Sequence, residues 1–107
     1  MEFQKRYDEH GRVAVLVSHG FGAGWSTWAD DSEAEAMLFD SRVVDAVLAG
    51  QDVHEIESLV ESLGYESYLG GADGLRVYWI EPGTRFTVED YDGNESLRTF
   101  DDLCYVA

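Results

Sequence analysis

The residues best suited to chemistry lie in residues 15–28, VLVSHGFGAGWSTW. A β-branched run leads into His19, and glycines follow at alternate positions. Glycines after a buried strand can turn the backbone so that its N–H groups face an anion, such as a phosphate or an oxyanion. One hypothesis is therefore a site for a small, nucleotide-like ligand, built from His19, Gly20, Gly22 and Gly24.

A structural role is the competing hypothesis for this loop. Glycines let a chain turn sharply, and the two tryptophans that follow, Trp25 and Trp28, can then pack against a sheet. The tryptophans have a further candidate role, because an exposed tryptophan often anchors a protein interface. The sequence leaves open whether Trp25 and Trp28 brace the fold or contact a partner.

The wider sequence does not support an enzyme. An α/β-hydrolase with a similar loop also needs a G-x-S-x-G elbow, followed by an Asp and then a His. The elbow is absent, and because His54 is the last histidine, the Asp and His are not found in the proper order. A Rossmann fingerprint needs a glycine where Trp25 stands, and a P-loop needs a Gly-Lys-Ser or Gly-Lys-Thr sequence that is absent. Acids at positions 30, 31, 33 and 35 also oppose a phosphate. We therefore predict that the protein is not an enzyme.

The potential metal ligands do not form a recognisable set. His10, His19 and His54 lack ligand spacing, and the lone Cys104 is expected to pack in a strand as a small hydrophobe. The acidic segment of residues 89–95, EDYDGNE, lacks the glycine and glutamate spacing of an EF-hand loop. We predict no metal and no cofactor.

The charge is strongly negative and unevenly distributed. The chain has 22 acids and seven bases, a formal net charge of −15. Residues 29–66 contain eleven acids and a single base, Arg42, whereas residues 1–28 contain three of each. Such a chain repels nucleic acid, which is normally bound through Lys and Arg. Its field instead attracts basic protein surfaces.

The acids of this region form the candidate partner-binding surface: Asp45, Asp52, Glu55, Glu57 and Glu61. Carboxylates arranged on one surface resemble phosphates and can occupy the nucleic-acid groove of a basic protein. The alternative is that the charge only keeps the chain soluble. Ordinary surfaces mix both signs, so the scarcity of lysine favours a function. We therefore expect a basic protein as partner, one whose groove normally holds nucleic acid.

Hydrophobic periodicity predicts the elements that position these residues. The run of residues 13–18 is typical of a fully buried strand. Helical spacing begins after Asp30, restarts near Asp40 and ends at Gly50. A second helix begins at a capping box formed by Asp52 and the glutamate three residues later.

The remaining sequence alternates as strands do. Strands are predicted at residues 65–69, 75–80, 85–89, 97–100 and 103–106, with turns at Pro82–Gly83 and Asp92–Gly93. The expected fold is one α+β domain over residues 1–107. It has a buried N-terminal strand, a glycine-rich loop and two helices packed on a mostly antiparallel sheet of four to five strands.

Hydropathy and edge strands bear on location and assembly. No run approaches the roughly 20 apolar residues of a membrane span, and the first dozen residues lack the apolar core of a signal peptide. We therefore expect a cytoplasmic protein without membrane contact. A homodimer would form if the edge near residues 103–106 paired with a second copy.

Three segments carry a family resemblance: SHGFGAGWSTW, LFDSRVVDAVLAG and YLGGADGLRVYWIEPGTRFTVEDYDGNES. Over residues 13–96 the sequence resembles a group of short uncharacterised proteins from bacteriophages and prophages. The distinctive motifs are the glycine–tryptophan loop and the later E-D-Y-D-G-x-E. The resemblance implies a viral protein in a bacterial cytoplasm, of the anti-defence or anti-CRISPR kind. It implies no catalytic residues.

Overall fold

The structure, a computed structural model, describes residues 2–20, 22–99 and 105–107. Their helices and strands are segregated along the chain, as in an α+β protein and as the sequence predicts. In chain order they are β1 (Val13–Ser18), α1 (Ala34–Phe39), α2 (Ser41–Leu48), α3 (Val53–Ser62), β2 (Leu75–Ile80), β3 (Arg85–Tyr91), β4 (Asn94–Thr99) and β5 (Tyr105–Val106). Two short 3-10 helices, Ser26–Trp28 and Gly70–Ala72, lie in the connections.

The strands form two sheets rather than the single sheet that was predicted. β1 pairs antiparallel with β2, and Val13 lies opposite Ile80. The second sheet has the order β4-β3-β5, and both of its pairings are antiparallel. Of the predicted strand at residues 103–106, the described part, residues 105–106, forms β5. Residues 103 and 104 lie outside the described residues.

β1 is buried on both faces, which explains its continuous apolar sequence. Ala14 and Leu16 pack in the cluster that contains the buried residues of α2 and α3. The alternate residues, among them Val15, pack with Phe39 and Phe86. β1 therefore joins the helical layer to the three-stranded sheet, and both of its faces bury apolar area.

The described residues form three α-helices where two were predicted, because Asp40 divides the first predicted helix. Its backbone leaves the helical region (φ −53°, ψ 115°), and its carboxylate accepts a hydrogen bond from the backbone N–H of Arg42 at the start of α2. The fully buried carboxylate also binds the Arg42 side chain at 2.7 Å and the Tyr65 hydroxyl at 2.6 Å. A helix restart at this position was predicted. Asp40 accounts for it, because its side chain caps α2.

α3 begins as predicted. The Asp52 side chain accepts from the backbone N–H of Glu55, and the Glu55 side chain accepts from the backbone N–H of Asp52. Ile56 and Val60 are buried against the core.

The predicted strand at residues 65–69 is wrong, and Glu33 supplies the reason. The carboxylate of Glu33 accepts the backbone N–H groups of Glu66 and Ser67 at 3.0 and 2.9 Å, and the Ser67 hydroxyl at 2.6 Å. Backbone donors that are satisfied by a buried carboxylate are no longer available to a strand ladder. The segment is therefore an irregular loop that ends in the 3-10 helix at Gly70–Ala72.

The β3–β4 hairpin matches its sequence signature. Asp92 and Gly93 both have positive φ, 52° and 85°, as a two-residue type I′ turn requires. A Cβ at Gly93 would overlap the backbone of Ala23, so the turn packs directly on the glycine-rich loop. The hairpin and the loop are thus one packed unit.

Candidate functional site

The glycine-rich loop surrounds a carboxylate of the chain itself. Glu95, on β4, is 1% exposed. One of its oxygens, Oε1, accepts the backbone N–H of Ser18 at 2.9 Å. Oε2 accepts the backbone N–H of Trp25 at 2.7 Å, and both the N–H and the hydroxyl of Thr27 at 3.1 and 2.6 Å. Backbone donors therefore do surround an anion, but the anion is an internal glutamate. The donors belong to Ser18, Trp25 and Thr27 rather than to the four residues of the ligand hypothesis.

The residues of the ligand hypothesis make internal contacts. The backbone N–H of His19 donates to Gly74 O at 3.0 Å, and that of Gly22 donates to Asp92 O at 2.6 Å. A Cβ at Gly20 would lie 2.7 Å from the backbone oxygen of Asp73. At Gly20, glycine therefore permits a close approach between two backbone segments.

Gly24 also has no room for a side chain. A Cβ at Gly24 would lie 3.0 Å from the Glu95 carboxylate and would overlap the Thr27 hydroxyl. Across from it, a Cβ at Gly71 would overlap the carbonyl oxygen of Gly24. These contacts favour the structural interpretation of the loop and give no support to the ligand hypothesis.

His19 and Ser18 do not form a nucleophile pair. His19 Nε2 lies 2.6 Å from the Tyr78 hydroxyl, at the protein surface. The Ser18 hydroxyl is fully buried, and it has no hydrogen-bond partner among the described residues. A nucleophile needs a base within hydrogen-bond reach, and the imidazole is instead bonded to a tyrosine.

The two tryptophans have different roles. Trp25 is fully buried, and its indole N–H donates to the backbone oxygen of Met37 at 2.7 Å, so it braces the core. Trp28 is 39% exposed, and its indole N–H donates to Asp90 at 2.8 Å. Its ring stacks on Tyr68, with centroids 6.2 Å apart. Only Trp28 of the pair is therefore positioned to touch a partner.

The predicted acidic surface divides into two groups. In the first group, Asp45 pairs with Arg6 at 2.9 Å, and Asp52 and Glu55 form the capping box. These three acids are exposed but already engaged. The second group is Glu57 and Glu61, one turn apart on α3. Glu57 lies 4.0 Å from His54. The Glu61 side chain makes no hydrogen bond or ion pair within the described part of the chain.

Glu57 and Glu61 border a shallow groove of about 450 Å³. Its lining comes from α3 and from the loop that follows: Glu57, Glu61, Tyr65, Glu66, Ser67, Tyr68, Leu69 and Gly70. Tyr68 is 61% exposed although Trp28 stacks on it. Carboxylates and an exposed aromatic ring are therefore combined at one surface.

Sequence reasoning missed Tyr68 and the internal role of Glu95. For Glu95 a signal existed. The hairpin turn sets a register in which Leu97 pairs with Val88 and Glu95 with Asp90, so Glu95 lies on the same face of the sheet as Leu97. Tyr68 carried no such signal, because its surroundings come from Trp28, 40 positions earlier in the chain.

None of the helices in the described ranges is long and apolar enough to cross a membrane. No group of three or more His, Cys, Asp or Glu side chains in those ranges is arranged to hold a metal ion. Comparisons of the chain with protein-family models, with curated proteins and with solved structures gave no match.

Proposed function

We propose that the protein binds a basic partner protein through α3 and the loop after it. One observation carries the proposal. Residues 43–75 contain seven acids and no Lys or Arg, and all seven side chains are exposed or partly exposed. Surfaces that have only to stay soluble mix both signs, so a one-signed surface of this extent favours attraction of a basic partner.

The requirements of the fold account for only some of these acids, because Asp52 and Glu55 cap α3 and Asp45 pairs with Arg6. The acids that the fold uses internally are Glu33, Asp40 and Glu95, and each is buried and hydrogen-bonded. By contrast, the side chains of Glu61 and Glu66 have no hydrogen bond or ion pair to any described residue. Burial and hydrogen bonding thus explain one set of acids and leave the other to be explained by an external partner.

Electrostatic arguments favour a role for this surface in recognising a partner. Exposed ion pairs contribute only about 0–1 kcal/mol each, so the acids add little to the affinity individually. Summed over the surface, they raise the association rate and exclude acidic competitors, including nucleic acid. The partner is then a protein whose own ligand is anionic, and a nucleic-acid-handling host protein fits this description.

The resemblance to phage proteins favours a partner in a bacterial host. A small acidic viral protein that covers the nucleic-acid groove of a defence effector, for example a CRISPR effector, would inhibit it by occupying the position of the phosphates. This proposal needs no catalytic residue and no cofactor.

Affinity capture from bacterial lysate, followed by binding measurements on the purified captured protein, tests the proposal. We expect binding that weakens steeply with salt, since raising the ionic strength from 0.1 to 1 M shortens the Debye length from about 10 to 3 Å. A DNA duplex should compete for the partner. The double variant Glu57→Lys/Glu61→Lys should lose binding.

The matched control changes the net charge by the same amount elsewhere. Glu9 and Glu81 are exposed and lie outside the groove, so Glu9→Lys/Glu81→Lys should weaken binding much less. Binding that ignores both salt and charge reversal at Glu57 and Glu61 would contradict the proposal.

A further inference from the structure

The groove beside α3 has a feature that charge alone does not require, an exposed aromatic ring held in a fixed position. Tyr68 lies against Trp28, whose indole plane is inclined by only 25° to the tyrosine ring. Trp28 is in turn held by its hydrogen bond to Asp90 on β3. The contacts that support the ring thus come from separate parts of the chain itself and do not depend on a partner.

Gly70 makes room for the same ring. A Cβ at Gly70 would lie 2.5 Å from Cε2 of Tyr68, closer than real Cβ contacts allow. Gly70 does not have a positive φ, so its backbone does not require glycine. A methyl group added at Gly70 would therefore disturb the position of the Tyr68 ring.

An aromatic ring beside the carboxylates of Glu57 and Glu61 matches one cationic side chain best. The guanidinium of arginine is planar and stacks on aromatic faces, and its N–H groups bind carboxylates in pairs. The lysine ammonium is a compact, strongly hydrated charge that gains less from a ring.

We propose that this groove is an arginine-recognition site, in which an arginine side chain of the basic partner stacks on Tyr68 and binds the carboxylates of Glu57 and Glu61. The inference rests on the proposed function and adds the chemistry of the contact. Pre-organisation of the ring lowers the entropy that binding costs. Charge complementarity selects a cationic segment, and the ring selects arginine within it.

Isothermal titration with two peptides of equal charge, hexa-arginine and hexa-lysine, tests the inference on the intact chain. A cation–π contact at an exposed site is worth about 0.5–1 kcal/mol, so we expect the wild-type protein to bind hexa-arginine about two- to fivefold more tightly. Tyr68→Ala should remove this preference and leave the affinity for hexa-lysine unchanged. Gly70→Ala, which alters no charge, should reduce the preference by displacing the ring.

Tyr91 supplies the matched control. It is 79% exposed and does not line the groove, so Tyr91→Ala should leave the preference intact. Equal affinity of the wild-type protein for the two peptides, or a preference that survives Tyr68→Ala, would overturn the arginine inference and leave the proposed function standing. If neither peptide binds, both the inference and the proposed function fail.

Discussion

The glycine-rich loop and the groove beside α3 place the same chemical group in opposite surroundings. In the loop, Glu95 is buried and accepts four hydrogen bonds. At the groove, Glu61 is exposed and makes no hydrogen bond to the described residues. The comparison shows that the donors around a carboxylate decide its role. A carboxylate enclosed by N–H groups organises the fold, and one left in water is available to a partner.

The largest expected effect comes from Glu95→Gln. The substitution keeps the volume but replaces one acceptor oxygen with an amide donor that faces other donors. Because hydrogen bonds to charged groups and unsatisfied buried donors are each worth about 1–3 kcal/mol, we expect a loss of about 2–4 kcal/mol in the free energy of unfolding, measured with urea. Glu61→Gln is the control and should change the stability by less than about 0.5 kcal/mol. Equal effects would contradict the comparison.

Asp40→Asn should be next in size, with a loss of about 1.5–3 kcal/mol at neutral pH, because it weakens charged hydrogen bonds to Arg42 and Tyr65. Burial acts to raise the pKa of Asp40, but hydrogen bonds from the Arg42 and Tyr65 side chains outweigh it and lower the pKa below its ordinary value. A lowered pKa contributes stability above the pKa of the unfolded state, and this contribution is lost as the pH falls through the pKa of the folded state.

The measurement is thermal unfolding of wild type and Asp40→Asn between pH 7 and pH 3. The stability gap between the two proteins should narrow below about pH 4, where the unfolded aspartate is protonated. The difference between the proteins is the readout, because acid also relieves the general repulsion of a chain with net charge −15. A gap that stays constant with pH would exclude an ionised Asp40 as its cause.

Substitutions at two neighbouring glycines test the same comparison with smaller expected losses of stability. Gly71→Ala places a methyl group against the backbone of Gly24, and we expect a loss of about 1–3 kcal/mol by overpacking. Gly70→Ala meets only the movable ring of Tyr68, so it should cost less than Gly71→Ala while changing the groove. Urea unfolding of both variants checks this order. A larger loss for Gly70→Ala would mean that the ring supports the fold.

The smallest effect is expected for Ser18→Ala. The backbone N–H of Ser18 donates to Glu95, but its buried hydroxyl has no partner within the described ranges. Removal of an unsatisfied buried hydroxyl should leave the stability unchanged or raise it by up to about 1 kcal/mol. A clear loss in urea unfolding would show that the hydroxyl is bonded in solution.

Local signals determined much of the fold. The β-branched run of β1, the capping box at Asp52 and the turn at Asp92 and Gly93 were all predictable, because each depends on residues within a few positions. The predicted strand at residues 65–69 failed for the opposite reason. Its backbone donors are taken by Glu33, more than 30 positions earlier, and no local pattern reports such a partner.

The sequence by itself determined the excess of acid, its concentration in residues 29–66, and the α+β class. It did not determine which acids are internal or which tryptophan is exposed. Nor did it determine that Tyr68 stacks on Trp28 and lines the same groove as Glu57 and Glu61. Those outcomes depend on contacts between distant segments, namely β4 with the glycine-rich loop, and Trp28 with Tyr68. Composition sets how much charge a chain carries, whereas the packing of distant segments decides which charges meet donors and which remain in water.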